Sequence, residues 1–340
     1  MKSLNLKVKQ PQQDHSGFFN FKEKTPSTSF SINSNSQIPV SGEIEISKES
    51  EVPHPKLNFV KSQRGFSVEC PEGLHMWEVV KEIKQPNGIK GHLLKKGDLI
   101  RIGGVRLKVN DIGFGETTCL TTNTSEFEPE SSSDLPCRIC LSSGESQSNP
   151  LVSPCKCTGS MQNIHFNCLQ KWLLSKLAVR HRGFVSTYHW PNLKCELCGA
   201  DLPPSIDLGD KRLDFIQLRK PATPFLVLED TRNDSLGGTL VHYVAGNKFT
   251  DIKIGKDPYS DIKISDSSVS DLHASIIFKK GSFYLLDKES TYGTLVGTKN
   301  LVLETGRTKV IQVGNKLLKI KPKDSLSFFG KCFHKARASE

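Results

Sequence analysis

The residues of this chain that could do chemistry crowd into one stretch. Seven of the ten cysteines lie between positions 137 and 198, and with His165 they form four short-spaced pairs: Cys137-x2-Cys140, Cys155-x-Cys157, His165-x2-Cys168 and Cys195-x2-Cys198. Thiolate sulfur and imidazole nitrogen are ligands that zinc prefers. A structural zinc site takes four of them in a tetrahedron, and a knuckle supplies two from residues a short step apart. Eight ligands fill two closed sites with nothing left over, so the spacing points to two Zn2+ ions with no open position for a substrate. Unligated core cysteines would not ordinarily fall into four such pairs. Cys70, Cys119 and Cys332 stand alone and read as free thiols.

The rest of the sequence must position that cluster. At 340 residues the chain is long enough for two or three small units with linkers, and its hydrophobic share of 36% leaves some of it unable to bury much apolar surface. No apolar run reaches the ~18 residues that a membrane helix needs, and the opening MKSLNLKVKQ lacks the apolar core of a signal peptide. The expectation is a soluble, intracellular protein of cytoplasm or nucleus, where clustered cysteines serve as metal ligands rather than disulfides. A formal charge of +10 would suit anionic partners. The lysines are scattered, however, and no basic block interleaves with aromatic residues, so no specific nucleic acid is predicted.

Composition divides the chain as follows. Residues 1–55 are polar, without sustained period, and read as disordered; Thr25-Pro26 within them could accept a phosphate. Over 56–115 short β-rich runs punctuated by glycines read as a small β unit, and 116–134 as a linker. The cysteine cluster fills 135–204, a connector follows at 205–222, and 223–322 alternates short strands with Gly, Asp and Ser turns as β-sandwiches do, leaving 323–340 as a tail. LIRIGGVRLKV at 99–109 aligns without a gap with VIQVGNKLLKI at 310–320, through duplication or through the common pattern of a hairpin with a glycine turn. After His165, Leu169, Trp172, Leu173 and Leu177 recur at spacings of three and four, which predicts a helix packed on the metal core.

The order Cys-x2-Cys, Cys-x-Cys, x7-His, x2-Cys, Cys-x2-Cys in CRICLSSGESQSNPLVSPCKCTGSMQNIHFNCLQKWLLSK and the closing pair resembles the RING-CH, or RING-variant, zinc finger. The resemblance implies an α+β cross-brace: Cys137, Cys140, His165 and Cys168 hold one ion, while Cys155, Cys157, Cys195 and Cys198 hold the other. PHD fingers share the order of ligand types, but their step into His is usually shorter and an aromatic residue usually precedes the last pair. The resemblance also implies a groove for a ubiquitin-conjugating enzyme (E2), at positions matching Ile139 and Trp172. Plain packing is the competing role for Trp172. Ligases of this kind form no covalent intermediate and act by positioning a charged carrier, so no catalytic nucleophile is expected. Two departures stand out. Gly199 follows the last ligand where many active fingers carry a basic residue, and the membrane spans typical of RING-CH ligases are missing.

The run FTDIKIGKDPYSDIKISDSSVSDLHASIIFKKGSFYLLDKESTYGTLVG resembles a forkhead-associated (FHA) domain, a β-sandwich whose end loops bind phosphothreonine peptides. Gly255-Lys256 stands where that family has Gly-Arg, Ser270 to His273 matches its Ser-x-x-His, and Ser290 to Thr294 its Ser-Thr-Asn-Gly-Thr with Tyr292 in place of asparagine. Lys256, Ser270 and Thr291 are the phosphopeptide-binding candidates, offering a cation and hydroxyl donors. His273 is read as a brace for the loop. Lysine gives a point charge where arginine gives a planar fork, and Asp271 adds a carboxylate beside the site, so weak or absent phosphothreonine binding is expected. The hairpin at 91–112 resembles the closing hairpin of the same fold, and a packing platform is its simplest role.

The fold class expected is therefore multidomain: a small zinc-stabilised RING-CH finger, a C-terminal all-β FHA-like sandwich, a small N-terminal β unit and a disordered N-terminus. The function expected is a zinc-binding E3 ubiquitin ligase with a conjugating enzyme and phosphothreonine proteins as partners. The alternative is a non-catalytic zinc and FHA adaptor that only joins proteins.

Overall fold

The computed structural model describes residues 3–9, 18–21, 25–39, 56–63, 65–114, 136–144, 146, 148–191, 193–203, 205–208, 211–215, 218, 220–231 and 238–323. By its contacts the chain forms two compact units, one from residues 1–106 with 251–340 and one from 107–250. The linker at 116–134 and the thiols Cys119 and Cys332 lie outside the described residues.

The first unit is built of β-sheets that are antiparallel except where Asp251–Gly255 pairs in parallel with Ile262–Lys263. In one of them Leu99–Ile102, Thr294–Thr298, Met76–Val79, Lys309–Val313, Lys316–Lys323, Ser3–Lys9 and Ser27–Ile32 lie side by side in that order. A five-stranded sheet runs Ile262–Lys263, Asp251–Gly255, Ala274–Lys279, Ser282–Asp287, His92–Leu93, and a four-stranded sheet runs Asn300–Leu303, Gly65–Glu69, Lys56–Ser62, Ser36–Pro39. Alternation fixes which faces are buried. Leu4, Leu6 and Val8 all point into a core shared with Phe59, Phe66, Val68, Leu318 and Ile320, while the residues between them are more exposed. The LIRIGG and VIQVGN segments each turn on a glycine with positive φ, +59° at Gly103 and +51° at Gly314, where a side chain would be strained.

This grouping differs from the segment-by-segment division expected from the sequence. Met76–Val79 pairs with strands at 294–298 and 309–313, so residues 56–106 and 251–323 share sheets rather than forming separate units. Phe225–Asp230 and Gly238–Ala245, expected in the sandwich, belong to the other unit. Within 1–55, expected as disordered, Ser3–Lys9, Ser27–Ile32 and Ser36–Pro39 are strands. The physical reason is the same in each case. The partner strand of Ser3–Lys9 lies at Lys316–Lys323, and nothing local in a sequence names a partner some three hundred residues away.

The second unit carries an antiparallel run of strands: the part of Val105–Gly113 from Leu107, then Phe225–Asp230, Gly238–Ala245, Val185–Pro191 and Ala178–Arg182. Its α-helix, α1, spans Phe166–Ser175 and buries Phe166, Leu169 and Leu173; the apolar spacing predicts it, but Leu177, the last residue of that spacing, falls beyond its end. The first turn of α1 has no cap from its own N-cap side chain. Instead the N–H of Phe166 donates to the Pro150 carbonyl at 2.8 Å and that of Asn167 to Asn149 Oδ1 at 2.8 Å. Those contacts fix the helix to the segment between the metal-ligand pairs. Among the described residues no helix is long and apolar enough to cross a membrane.

Candidate metal centres and recognition loops

Two tight turns carry the outer ligand pairs. In the first, the Leu141 N–H donates to the Cys137 carbonyl at 2.8 Å and the Cys137 N–H to the Ser142 carbonyl at 2.9 Å. In the last, the Gly199 N–H donates to the Cys195 carbonyl at 2.9 Å and the Cys195 N–H to the Ala200 carbonyl at 2.8 Å. The residue after each second cysteine sits at positive φ, +60° for Leu141 and +69° for Gly199. The two knuckles thus share one backbone form, and each aims two sulfurs at one point.

The structure gathers the eight ligands into two groups, Cys137, Cys140, His165 and Cys168 in one and Cys155, Cys157, Cys195 and Cys198 in the other, with the ligand atoms of each group within 4.8 Å of one another. Pairs one and three meet, as do pairs two and four, which is the interleaving that the resemblance implied. His165 donates from Nε2 to the Gly144 carbonyl at 2.7 Å, which turns Nδ1 toward the sulfurs, 3.2 Å from Cys140 Sγ. A second hydrogen bond of this kind sets the ring tautomer and leaves Nδ1 as the metal ligand.

The electrostatics call for a cation. Burial opposes ionisation of Cys137, but N–H groups of Cys140, His165 and Ile139 outweigh it and bring its thiol down to about 6. Burial likewise opposes ionisation of Cys195, and N–H groups of Cys198 and Leu197 with the Arg138 guanidinium bring it down to about 6. Cys168 goes the other way, pushed up to about 11 by burial and by crowding against Cys140 and Cys137. Neighbouring thiols cannot all ionise without a positive charge between them, and Zn2+ supplies it. One donor set is three thiolates with an imidazole and the other is four thiolates, and both fit the two zinc sites of a RING-CH domain.

Arg138 carries no signal in the sequence pattern. It stands in the first knuckle, yet its guanidinium donates to the Met161 carbonyl at 2.7 Å, lies 3.5 Å from Cys195 Sγ, and lies 3.9 Å from Cys155 Sγ. Four thiolates around one Zn2+ leave a net negative charge, and Arg138 offsets part of it while tying one ligand group to the other.

Beside this centre lies an open groove lined by Ile139, Met161, Trp172, Leu197 and Leu202 together with Arg138. Ile139 is 46% exposed and Leu197 59%, large values for apolar side chains. They occupy the same position in the two knuckles, just before the second cysteine. Trp172 is half-buried, with the Lys176 ammonium 5.3 Å from its ring centre and Lys176 paired in turn with Glu196 at 3.0 Å. Gly199 is exposed, and a side chain there would meet nothing within 4 Å.

In the other unit the loops of the sandwich converge through backbone contacts. Gly255 lies so close to the Ser270–Asp271 loop that a Cβ would sit 1.9 Å from the Asp271 carbonyl oxygen, so only glycine fits. The Lys256 N–H donates to the Ser270 carbonyl at 3.1 Å, and the Thr291 N–H donates to Ser270 Oγ at 3.2 Å, which brings the three phosphopeptide candidates onto adjoining loops. His273 is fully buried, accepts from the Ser270 N–H at Nδ1 (3.1 Å) and donates from Nε2 to the Gly293 carbonyl (3.2 Å). Burial lowers its pKa and keeps it neutral, as a brace requires. The Lys256 ammonium lies 3.8 Å from Asp271 Oδ1, with both groups largely in solvent.

Comparison with known proteins agrees with this division. Residues 137–198 match the RING-variant domain and residues 252–317 the FHA domain. The first of these makes the second unit home to a RING-CH finger, and the other makes the sandwich FHA-like. Among curated proteins the chain is 43% identical over 94 residues to the human probable E3 ubiquitin-protein ligase MARCHF10, covering 27% of this chain and 10% of that protein. It is 50% identical over 83 residues to the E3 ubiquitin-protein ligase MARCHF7 of Pongo abelii, covering 24% and 11%. It is 37% identical over 79 residues to the ERAD-associated E3 ubiquitin-protein ligase DOA10 of Saccharomyces cerevisiae, covering 23% and 5%. The likeness therefore spans about a quarter of this chain and about a tenth or less of each relative. No solved structure matches.

Proposed function

We propose that this chain is an E3 ubiquitin ligase whose RING-CH finger holds a ubiquitin-charged conjugating enzyme in the groove between its two knuckles and α1. The observation that carries the reading is the pair Ile139 and Leu197, both apolar and exposed and both lining, with Trp172, one groove beside the ligand groups. An apolar patch held rigid by metal ligands is a docking surface of the kind that a loop on a partner fills. The three relatives reported above, each named as a ubiquitin ligase, support the same reading. The finger has two closed donor sets and no open coordination position, so its contribution is to orient the carrier thioester for attack by an incoming amine.

The FHA-like sandwich recruits partners in this scheme, with Lys256, Ser270 and Thr291 as its phosphate contacts. Its affinity for phosphothreonine is weak, because Lys256 is already drawn toward Asp271. A carboxylate within 4 Å of a phosphate costs about 1–4 kcal/mol, as much as one charge-assisted hydrogen bond contributes. A second reading, a binding adaptor without transfer activity, draws on Gly199, which leaves no side chain after the last ligand to reach carrier or ubiquitin. Autoubiquitination of the full chain across a panel of conjugating enzymes decides between them. Modified product with at least one enzyme is expected, and no product with any of them leaves the adaptor.

A further inference from the structure

The loop at Thr291–Gly293 already has an occupant drawn from this chain. The Phe21 N–H donates to the Thr291 carbonyl at 3.0 Å, a backbone-to-backbone contact of the sort an extended peptide makes with a receiving loop. The Phe18 ring lies 5.5 Å from that of Tyr292, and the Arg101 guanidinium stands 5.6 Å from the Phe18 ring centre and 5.5 Å from that of Trp77. Phe19 is 1% exposed, and Phe21 packs against the cluster of Trp77, Val79, Leu295 and Val310. Two glycines make room for the segment: a Cβ on Gly293 would come within 2.9 Å of the Phe21 ring, and one on Gly104 within 3.3 Å of Phe18.

Two features distinguish this contact from ordinary core packing. It falls on Tyr292 and on Thr291, one of the residues proposed above to contact a partner's phosphopeptide. The segment's ends are also anchored independently of it, because the strands on either side, Ser3–Lys9 and Ser27–Ile32, pair with each other, Lys9 opposite Ser27. The ends of the connecting stretch stay together whether or not its aromatic residues are docked.

We propose that Phe18–Phe21 is an in-chain ligand of the Thr291–Gly293 loop, an aromatic segment that occupies the peptide-receiving face of the sandwich and must leave before a partner peptide binds there. This rests on reading those loops as peptide-receiving. A tethered segment acts at an effective concentration in the millimolar range, so a partner in trans competes only if it binds tightly or if the segment is first displaced. The sandwich is then closed in the resting chain, and the surface that opens prefers aromatic side chains beside an exposed backbone.

The test replaces the segment in the full chain with Phe18→Gly, Phe19→Ser, Asn20→Gly and Phe21→Ser, and titrates a labelled synthetic peptide of residues 15–26. Binding to the variant at least about tenfold tighter than to the wild type is expected, because only the variant has a free face. Equal binding to both proteins, or binding to neither while the variant melts like the wild type, overturns the proposal. Should the variant fail to fold, hydrogen exchange on wild type and Tyr292→Ser replaces it. Loss of the Phe18 partner should raise exchange at the Phe21 amide about tenfold or more, and unchanged exchange overturns the proposal. A degenerate phosphothreonine library added to the peptide-bound variant separates the two readings. Peptide binding that the library cannot displace supports the in-chain ligand while removing the phosphopeptide role.

Discussion

The zinc finger and the FHA-like sandwich both hold their candidate recognition loops in place, and they do it with different materials. Residues 137–198 have few buried side chains, among them Ile164, Phe166, Leu169 and Leu173, and the remaining order comes from two four-ligand groups. The sandwich has no comparable metal cluster among its described residues, and the strands that carry its loops bury Ile252, Ile254, Ala274, Ile276, Phe283, Leu285 and Leu295. Each set of loops is therefore vulnerable in a different way. Ile139 and Leu197 keep their places only while metal is bound. Ser270 and Thr291 keep theirs while the strands behind them pack.

The largest effect that separates the two is metal removal. Structural zinc contributes roughly 10–16 kcal/mol of apparent binding free energy in small fingers, far more than 137–198 could replace from its own core. A strong chelator, or Cys157→Ser, should therefore unfold the finger while the sandwich keeps a cooperative melt. Elemental analysis of folded protein should give two zinc ions per chain. Acid should do what the chelator does. N–H groups already hold the Cys137 and Cys195 thiols below their ordinary range and bound zinc lowers them further, so stability falls as the pH falls and the thiolates take up protons, in the direction that releases zinc.

Next in size is a change confined to the sandwich. Gly255→Ala puts a methyl group into the Asp271 backbone, so the loops must move apart. A loss of about 1–3 kcal/mol or more is expected, read as a lower melting temperature with zinc content unchanged. A variant that melts like the wild type would show that the loop contact is looser than its geometry.

Smaller is the effect of Arg138→Met, which removes the guanidinium from Cys195 and Cys155. Loss of a group that supports metal ligands typically weakens metal binding by about 10–100-fold, and competition with a chromogenic chelator should find that loss at one of the two ions. Smallest is Asp271→Asn. The pair with Lys256 is exposed and contributes at most about 1 kcal/mol, so stability should hardly move. Affinity for phosphothreonine peptides should rise once the carboxylate is gone, and no rise would mean that Asp271 is not what limits binding.

How much of this could be read from the sequence follows from the range over which each feature is encoded. The eight ligands were legible because a zinc knuckle is a local device, with two donors a few residues apart. The helix after His165 was legible because its apolar spacing is local too. Arg138 and Leu197 were not. Their roles depend on one knuckle facing ligands of the other group, and that follows only once the interleaving is known. Leu4, Leu6 and Val8 did carry a period-two signal, but the polar residues around 10–55 masked it, and the strand that completes it begins at Lys316. The same separation hid the pairing of Met76–Val79 with Thr294–Thr298. The echo between 99–109 and 310–320 was visible as a pattern, and both segments do turn on glycines at positive φ.

The proposed ligase function rests on the groove beside the two knuckles. The most direct measurement is single-turnover discharge of ubiquitin from a charged conjugating enzyme to free lysine, comparing the full chain with Ile139→Ala, each shown to carry two zinc ions. Truncating Ile139 removes an exposed apolar anchor without touching a ligand, and anchors of this kind cost ~2 kcal/mol or more when truncated, a loss of at least about thirtyfold in discharge rate. Acceleration by the wild type and loss of that acceleration in Ile139→Ala is the predicted result. Equal acceleration by both proteins, or none by the wild type with any conjugating enzyme, would contradict it.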